Sequence, residues 1–162
     1  MVASLVNYGC NGDVIWYMDS KIERKLVHAA IEGMKKAFTG TNKPKDVRFG
    51  AAVLTKKGNI YSSGQYYSDT YSLTLHAEQA VLAHAAAHGE YDIVAIAITG
   101  NESAEGISGG DSIYPCHMCK QLLWESYLRS KRNTEIILAD EKGKVIERLK
   151  LLDIMNHTWP KG

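Results

Sequence analysis

An α/β domain of three layers, with helices on both faces of a five-stranded mixed sheet, is predicted by three observations. Helical and strand-like hydrophobic periods alternate along the chain. The stretch from Ile93 to Ile98 is apolar at every position, as a strand buried on both faces must be. The last two strand-like stretches are joined by too few residues for a parallel crossover, so they pair antiparallel. With 162 residues, 45% of them apolar, the chain is long enough for one proper core and too short for two. One domain over 1–162 is expected, with residues 1–18 an N-terminal extension of unassigned role.

The first helix starts at Asp19 or Ser20, both good N-caps. Ile22, Leu26, Ala30 and Ala37, with Val27, Ile31, Met34 and Phe38 beside them, form a broad apolar stripe. Gly40 to Asp46 is rich in Gly, Asn and Pro and reads as a loop. Val47 to Thr55 and Asn59 to Tyr67 then flank Lys56-Lys57-Gly58 as a hairpin. Thr74 to His88, rich in Ala, Leu and Glu, propagates as a second helix with His76 and Glu78 in its first turn. After the strand at Ile93 a long loop runs from Gly100 to Tyr114. A third helix follows from about Cys116 to Arg129, then strands at Glu135 to Ala139 and Val145 to Leu149 around the turn Glu141 to Lys144.

Lys and Arg number 19 against 18 Asp and Glu, a net charge of +1 that provides no broad field for a polyanion. Small substrates are favoured over nucleic acid. No stretch is apolar for the length of a membrane span, and Val2 to Val6 lack the basic leader and long apolar core of a signal peptide. Three cysteines, of which two are accounted for below, suit a reducing cytoplasm better than a disulfide framework.

The chemistry is concentrated in His76-Ala77-Glu78 and, farther along, Pro115-Cys116-His117-Met118-Cys119. One imidazole and two thiolates are a three-ligand zinc set that leaves a fourth tetrahedral position for water, and a carboxylate stands two residues from the imidazole. Cys116 and Cys119, at i and i+3, share one face of a helical turn that Pro115 is suited to start. Helix N-termini at these ligands favour thiolate over thiol. A closed structural knuckle is the other reading, with Cys10 as fourth ligand, but a knuckle has no need of an acid beside its histidine. His117 falls on the opposite side of the turn and reads as a surface residue.

His-Ala-Glu followed by Pro-Cys-x-x-Cys and Lys120-Gln121-Leu122-Leu123 resembles the zinc-dependent cytidine deaminase superfamily over about residues 47 to 128. The resemblance implies Zn²⁺ held by His76, Cys116 and Cys119, with Glu78 as a proton shuttle that does not touch the metal. It also implies hydrolysis at C4 of a cytosine-like ring, with Glu78 protonating N3 and then the departing amine. Backbone carbonyls near Ala77 and Tyr114 would hold that amine, and a homo-oligomer, dimer or tetramer, is expected. The antiparallel final strands match the cytidine-deaminase-like branch rather than the tRNA- and guanine-deaminase-like one, which inserts a helix there.

The chain departs from the family just after its second strand. Cytidine deaminases usually carry Asn-x-Glu there for the ribose hydroxyls, and this chain has Gln65-Tyr66-Tyr67, so Gln65 and Tyr67 are the expected substrate contacts. Tyr61, Tyr66, Tyr67 and Tyr71 offer stacking and phenolic hydrogen bonds, or plain strand packing. Tyr114 stands where the family more often has a small residue. Gly100-Asn101-Glu102, Gly106-Ile107 and the tail Trp159-Pro160 are similar to blasticidin S deaminase, which acts on a cytosine nucleoside antibiotic. Lys43, Lys45, Arg48, Lys56 and Lys57 suggest a rival of another class, a module that binds or edits single-stranded nucleic acid, though no aromatic ladder accompanies them. His84 and His88 form an i, i+4 pair with no third ligand evident and read as a solvated helix face.

Overall fold

The computed structural model describes residues 18–101 and 113–156. Helix α1 (Ser20–Lys35) is capped by Asp19, whose carboxylate accepts from the Lys21 amide at 2.6 Å. It buries Leu26, Val27, Ala30, Ile31 and Met34 along one side. The predicted stripe ran on to Phe38, but the helix stops sooner. The Phe38 amide donates to the Gln65 carbonyl at 3.0 Å and its carbonyl accepts from the Tyr67 amide at 2.9 Å, so a strand contact replaces the last turn.

The sheet comprises β1 (Phe49–Thr55), β2 (Ile60–Gly64), β3 (Ile93–Gly100), β4 (Glu135–Asp140) and β5 (Val145–Lys150), in the order β2-β1-β3-β4-β5. Only β3 and β4 run parallel; the β4–β5 pair is antiparallel, as its short turn requires. Helix α2 (Ala77–Ala87) and helix α3 (His117–Ser130) complete the described helices.

Strand alternation divides the core in two. Ala51, Val53, Ile96, Ile98, Ile136 and Leu138 pack with Ala77, Val81 and Ala85 of α2 and Leu123 of α3. Ala52, Leu54, Ala95, Ala97, Ile137 and Ala139 meet α1 on the opposite face. The three expected layers are present, with α2 and α3 together on one side.

The α1 face is lined largely by alanine, and its seam with β1 and β2 is closed by glycine. A Cβ on Gly33, Gly50 or Gly64 would lie closer than 3.0 Å to backbone atoms of the opposing element, Ser63, Ala30 and Met34, or Gly33 and Ala37 respectively. Helix and strands therefore touch main chain to main chain, and no side chain can rotate away to make room. Gly50→Ala is expected to destabilise by about 3 kcal/mol or more, at or above the upper end of ordinary overpacking. Equilibrium urea unfolding checks this; a loss below about 0.5 kcal/mol, typical of surface substitutions, would refute the close seam.

Candidate metal centre

Two helix N-termini converge on the face opposite α1. Tyr66 and Leu75 exchange both backbone hydrogen bonds, at 3.0 and 2.9 Å, which keeps the chain extended up to His76. The helix expected from Thr74 accordingly starts at Ala77, and His76 is its N-cap with φ −68° and ψ 155°. The His76 amide donates to the Gln79 side chain at 2.8 Å, the half of a capping box that locks the cap. Gln79 was not among the residues singled out in the sequence. A Gln three positions after a cap was the available signal, obscured because the cap is His rather than Ser or Thr.

The other terminus is built the same way. Cys116 is the N-cap of α3, with φ −65° and ψ 170°. Pro115 therefore lies just outside the helix instead of occupying its first turn, since an extended Cys116 is what turns Sγ toward α2. The β3 strand ends at Gly100, placing this terminus beyond the carboxyl end of a central strand, where open α/β sheets hold their ligands.

The His76 Nδ1 lies 3.4 Å from Cys116 Sγ and 3.5 Å from Cys119 Sγ, and the two sulfurs are 3.5 Å apart. Zn–S bonds of about 2.3 Å and a Zn–N bond of about 2.0–2.1 Å in a tetrahedron require N···S near about 3.5 Å and S···S near about 3.8 Å. The three atoms thus fit one face of a zinc tetrahedron, with Nδ1 the facing nitrogen. His76, Cys116 and Cys119 are the metal-competent cluster among the described residues. Cys10 lies outside those residues.

Glu78 is 6% exposed and is a hydrogen-bond partner of the Cys119 thiol. Burial, followed by the charge of Glu78, pushes that thiol far above its usual range. The helix N-terminus favours the thiolate, as the sequence suggests, while burial and the adjacent carboxylate oppose it at Cys119. A cation is what makes two sulfurs and a buried carboxylate compatible in so small a space.

A sequence model of the cytidine and deoxycytidylate deaminase zinc-binding region matches residues 20–132. The chain belongs to this family. It is a zinc-dependent deaminase. It is 26% identical to a cytidine deaminase from Halalkalibacterium halodurans over 122 residues, 75% of this chain and 83% of that one. The crystal structure of cytidine deaminase from Burkholderia pseudomallei superposes with a TM-score of 0.69 at 24% identity, covering 88% of this chain and 100% of its own. That from Mycobacterium tuberculosis does so with 0.62 at 20% identity, covering 83% and 94%. Both share the fold of this family member.

The remaining expected site residues are placed unequally. Ala77 is fully buried at the first turn of α2. Tyr114 is partly exposed and its hydroxyl donates to the Glu147 carboxylate on β5. The Gln65 side chain is spent on β1, accepting from the Phe49 amide at 3.1 Å and donating to the Val47 carbonyl at 3.3 Å. It pins a strand end in this structure. Tyr67 lies against Gly40, and its phenol pairs with that of Tyr71, which raises its pKa. Asn101 braces the chain before α3's approach, its amide group joining the Arg48 amide at 2.7 Å and the Asp46 carbonyl at 3.0 Å. Glu102, Gly106, Ile107, Trp159 and Pro160 fall outside the described residues.

The purified protein should carry one zinc per chain, lost in Cys116→Ser and Cys119→Ser and kept in Cys10→Ser, by metal analysis. Chelation should also lower Tm, because a site assembled only on folding contributes its binding energy to folding. Loss of zinc from Cys10→Ser would establish the closed knuckle instead.

Proposed function

We propose that this deaminase removes the exocyclic amine of a cytosine-type nucleoside or a related small aminopyrimidine, giving the uracil-type product and ammonia. The observation that carries the reading is the buried Glu78 carboxylate beside Cys119, at a three-atom cluster with zinc spacing.

In this reading His76 Nδ1 and the two sulfurs hold Zn²⁺, which when bound supplies Lewis acidity toward water. Two thiolates cancel the ion's formal charge, so proton removal falls to a positioned carboxylate. Glu78 takes the proton of the attacking water and delivers it to ring N3. It then takes the proton of the new C4 hydroxyl and passes it to the amine, so that the C4–N bond breaks as ammonia departs and the C4–O bond becomes the carbonyl of the product. One carboxylate, held out of bulk water, serves each transfer. The carbonyl of Ala77 has a second lone pair beyond its helical bond, and together with that of Tyr114 it would orient the amine.

Tyr67 rather than Gln65 is the residue we assign to selection at the sugar side, since the Gln65 amide is committed to the backbone of β1. A phenol cannot replace a carboxylate as an acceptor for two hydroxyls, so unmodified cytidine should be a poor substrate beside a modified cytosine nucleoside, an antibiotic of the blasticidin S kind included. The nucleic-acid rival gains no support from the basic group: Arg48 donates to the carbonyls of Ala37 and Lys43, and Lys56 pairs with Asp92 at 3.8 Å. Phe38, Tyr66, Tyr71, Leu73 and Leu75 expose apolar surface on and beside the segment that leads into His76, which supports self-association into a homo-oligomer. No helix among the described residues is long and apolar enough to cross a membrane. We assign the protein to the cytoplasm on its thiolate ligands, which a reducing compartment preserves.

The reading is tested by ammonia release from cytosine, cytidine, deoxycytidine, their phosphates and modified cytosine nucleosides. Glu78→Gln should keep zinc and fold while losing about 10⁴-fold in kcat, the upper end for a general acid–base group. Tyr67→Glu should shift the ranking toward cytidine. Near-normal turnover in Glu78→Gln would remove this carboxylate from the mechanism. Cytidine as the best substrate, with a ranking indifferent to Tyr67→Glu, would refute the assignment at Tyr67.

A further inference from the structure

We propose that His84 and His88 form a second metal site, a surface chelate for one divalent transition cation of the class that prefers imidazole, nickel, copper or zinc. The two residues are one turn apart at the far end of α2 from His76, and both are exposed. The exposed helix face expected from the sequence is therefore present, but the structure adds an arrangement that spacing alone could not show.

Each ring has its Nδ1 against a backbone carbonyl, His84 against Ser62 at 3.2 Å and His88 against His84 at 2.9 Å. A carbonyl oxygen can only accept, so Nδ1 carries the hydrogen in both rings. In the neutral imidazole the lone pair is then on Nε2. Ligating histidines are commonly prepared in this way, with the second ring N–H donated to a carbonyl that fixes tautomer and orientation. Neither Nε2 is hydrogen-bonded to a protein group among the described residues, and the one ion-pair histidine there is His28.

The ring separation suits a shared ion. An ion about 2.1 Å from each Nε2 stands about 3.2 Å from each ring centre. The observed centroid spacing of 5.2 Å then corresponds to an N–metal–N angle of about 109° where both Nε2 atoms face the ion. Tyr61 supports both rings from the sheet side, 5.3 Å from His84 and 4.8 Å from His88. Tyr61 is itself held by Glu90 at 2.8 Å, and the same carboxylate accepts from Thr55 at 2.5 Å and Asn59 at 2.7 Å. Rings braced in this way lose less rotamer freedom when they bind an ion.

No carboxylate or thiol completes a three-ligand cluster there among the described residues, so water fills the remaining positions and the ion exchanges readily. Imidazole ligands place nickel, copper and zinc ahead of magnesium or calcium. Binding joins residues i and i+4 and so favours the folded last turn of α2 by mass action.

The test is a calorimetric titration of desalted, zinc-loaded protein with NiCl2, with zinc release followed by a colorimetric chelator. One equivalent of Ni²⁺ should bind without release of zinc and should raise Tm. His84→Ala and His88→Ala should each weaken Ni²⁺ binding about 100-fold or more with zinc content unchanged, at or beyond the upper end of what the loss of an outer partner brings. His28→Ala and His117→Ala, exposed histidines elsewhere, should leave it intact. Absence of Ni²⁺ binding, binding that survives both substitutions, or binding matched by release of zinc would each overturn the proposal.

Discussion

Two helices that meet by their N-termini dictate most of what is specific to this protein. Each terminus presents a side chain of the cluster from its N-cap, and an N-cap has extended rather than helical backbone. His76 and Cys116 both satisfy that geometry. For α2 the extended approach comes from the Tyr66–Leu75 bridge, and for α3 it follows directly after Pro115. The partial positive ends of the helices point at the cluster, which favours anionic ligands there. Cys119, one turn into α3, then needs only the helical rise to reach the same point.

Placing an acid in that space has an electrostatic cost that shapes the chemistry. Glu78 and Cys119 are both buried and in contact, so the pair is poorly tolerated as two anions without a cation. The same burial that raises the thiol also keeps Glu78 away from bulk water, which strengthens its interaction with whatever charge develops beside it. In the proposed mechanism, metal affinity and proton transfer are two results of one desolvated arrangement. On the other side of the sheet the glycine seam seats α1 directly on β1 and β2, while α2 and α3 pack on the opposite face.

Side-chain identity is readable from sequence, and backbone pairing between distant segments is not, and the particular residues divide along that line. The three residues that cluster, the buried acid beside them, five strands in their approximate places and the antiparallel final pair were legible, because they follow from residue types, periodicity and turn length. The start of α2 was placed too early because Leu75 pairs with Tyr66 across a loop, a contact that helix propensity at Thr74 and Leu75 cannot reveal. The end of α1 failed for the same reason, through Phe38. Gln65 looked like a substrate contact by alignment, yet its amide is held by the backbone of Val47 and Phe49. Gly33, Gly50 and Gly64 carried no sequence signal at all, since a close approach exists only once helix and strands are packed.

The central claim is that His76, Cys116 and Cys119 hold zinc and leave one tetrahedral position to solvent. A zinc K-edge X-ray absorption spectrum of the purified protein examines it most directly. Two sulfur ligands at about 2.3 Å and two nitrogen or oxygen ligands at about 2.0–2.1 Å are predicted. Three or more sulfurs in the shell, or a protein that binds no zinc, would contradict it.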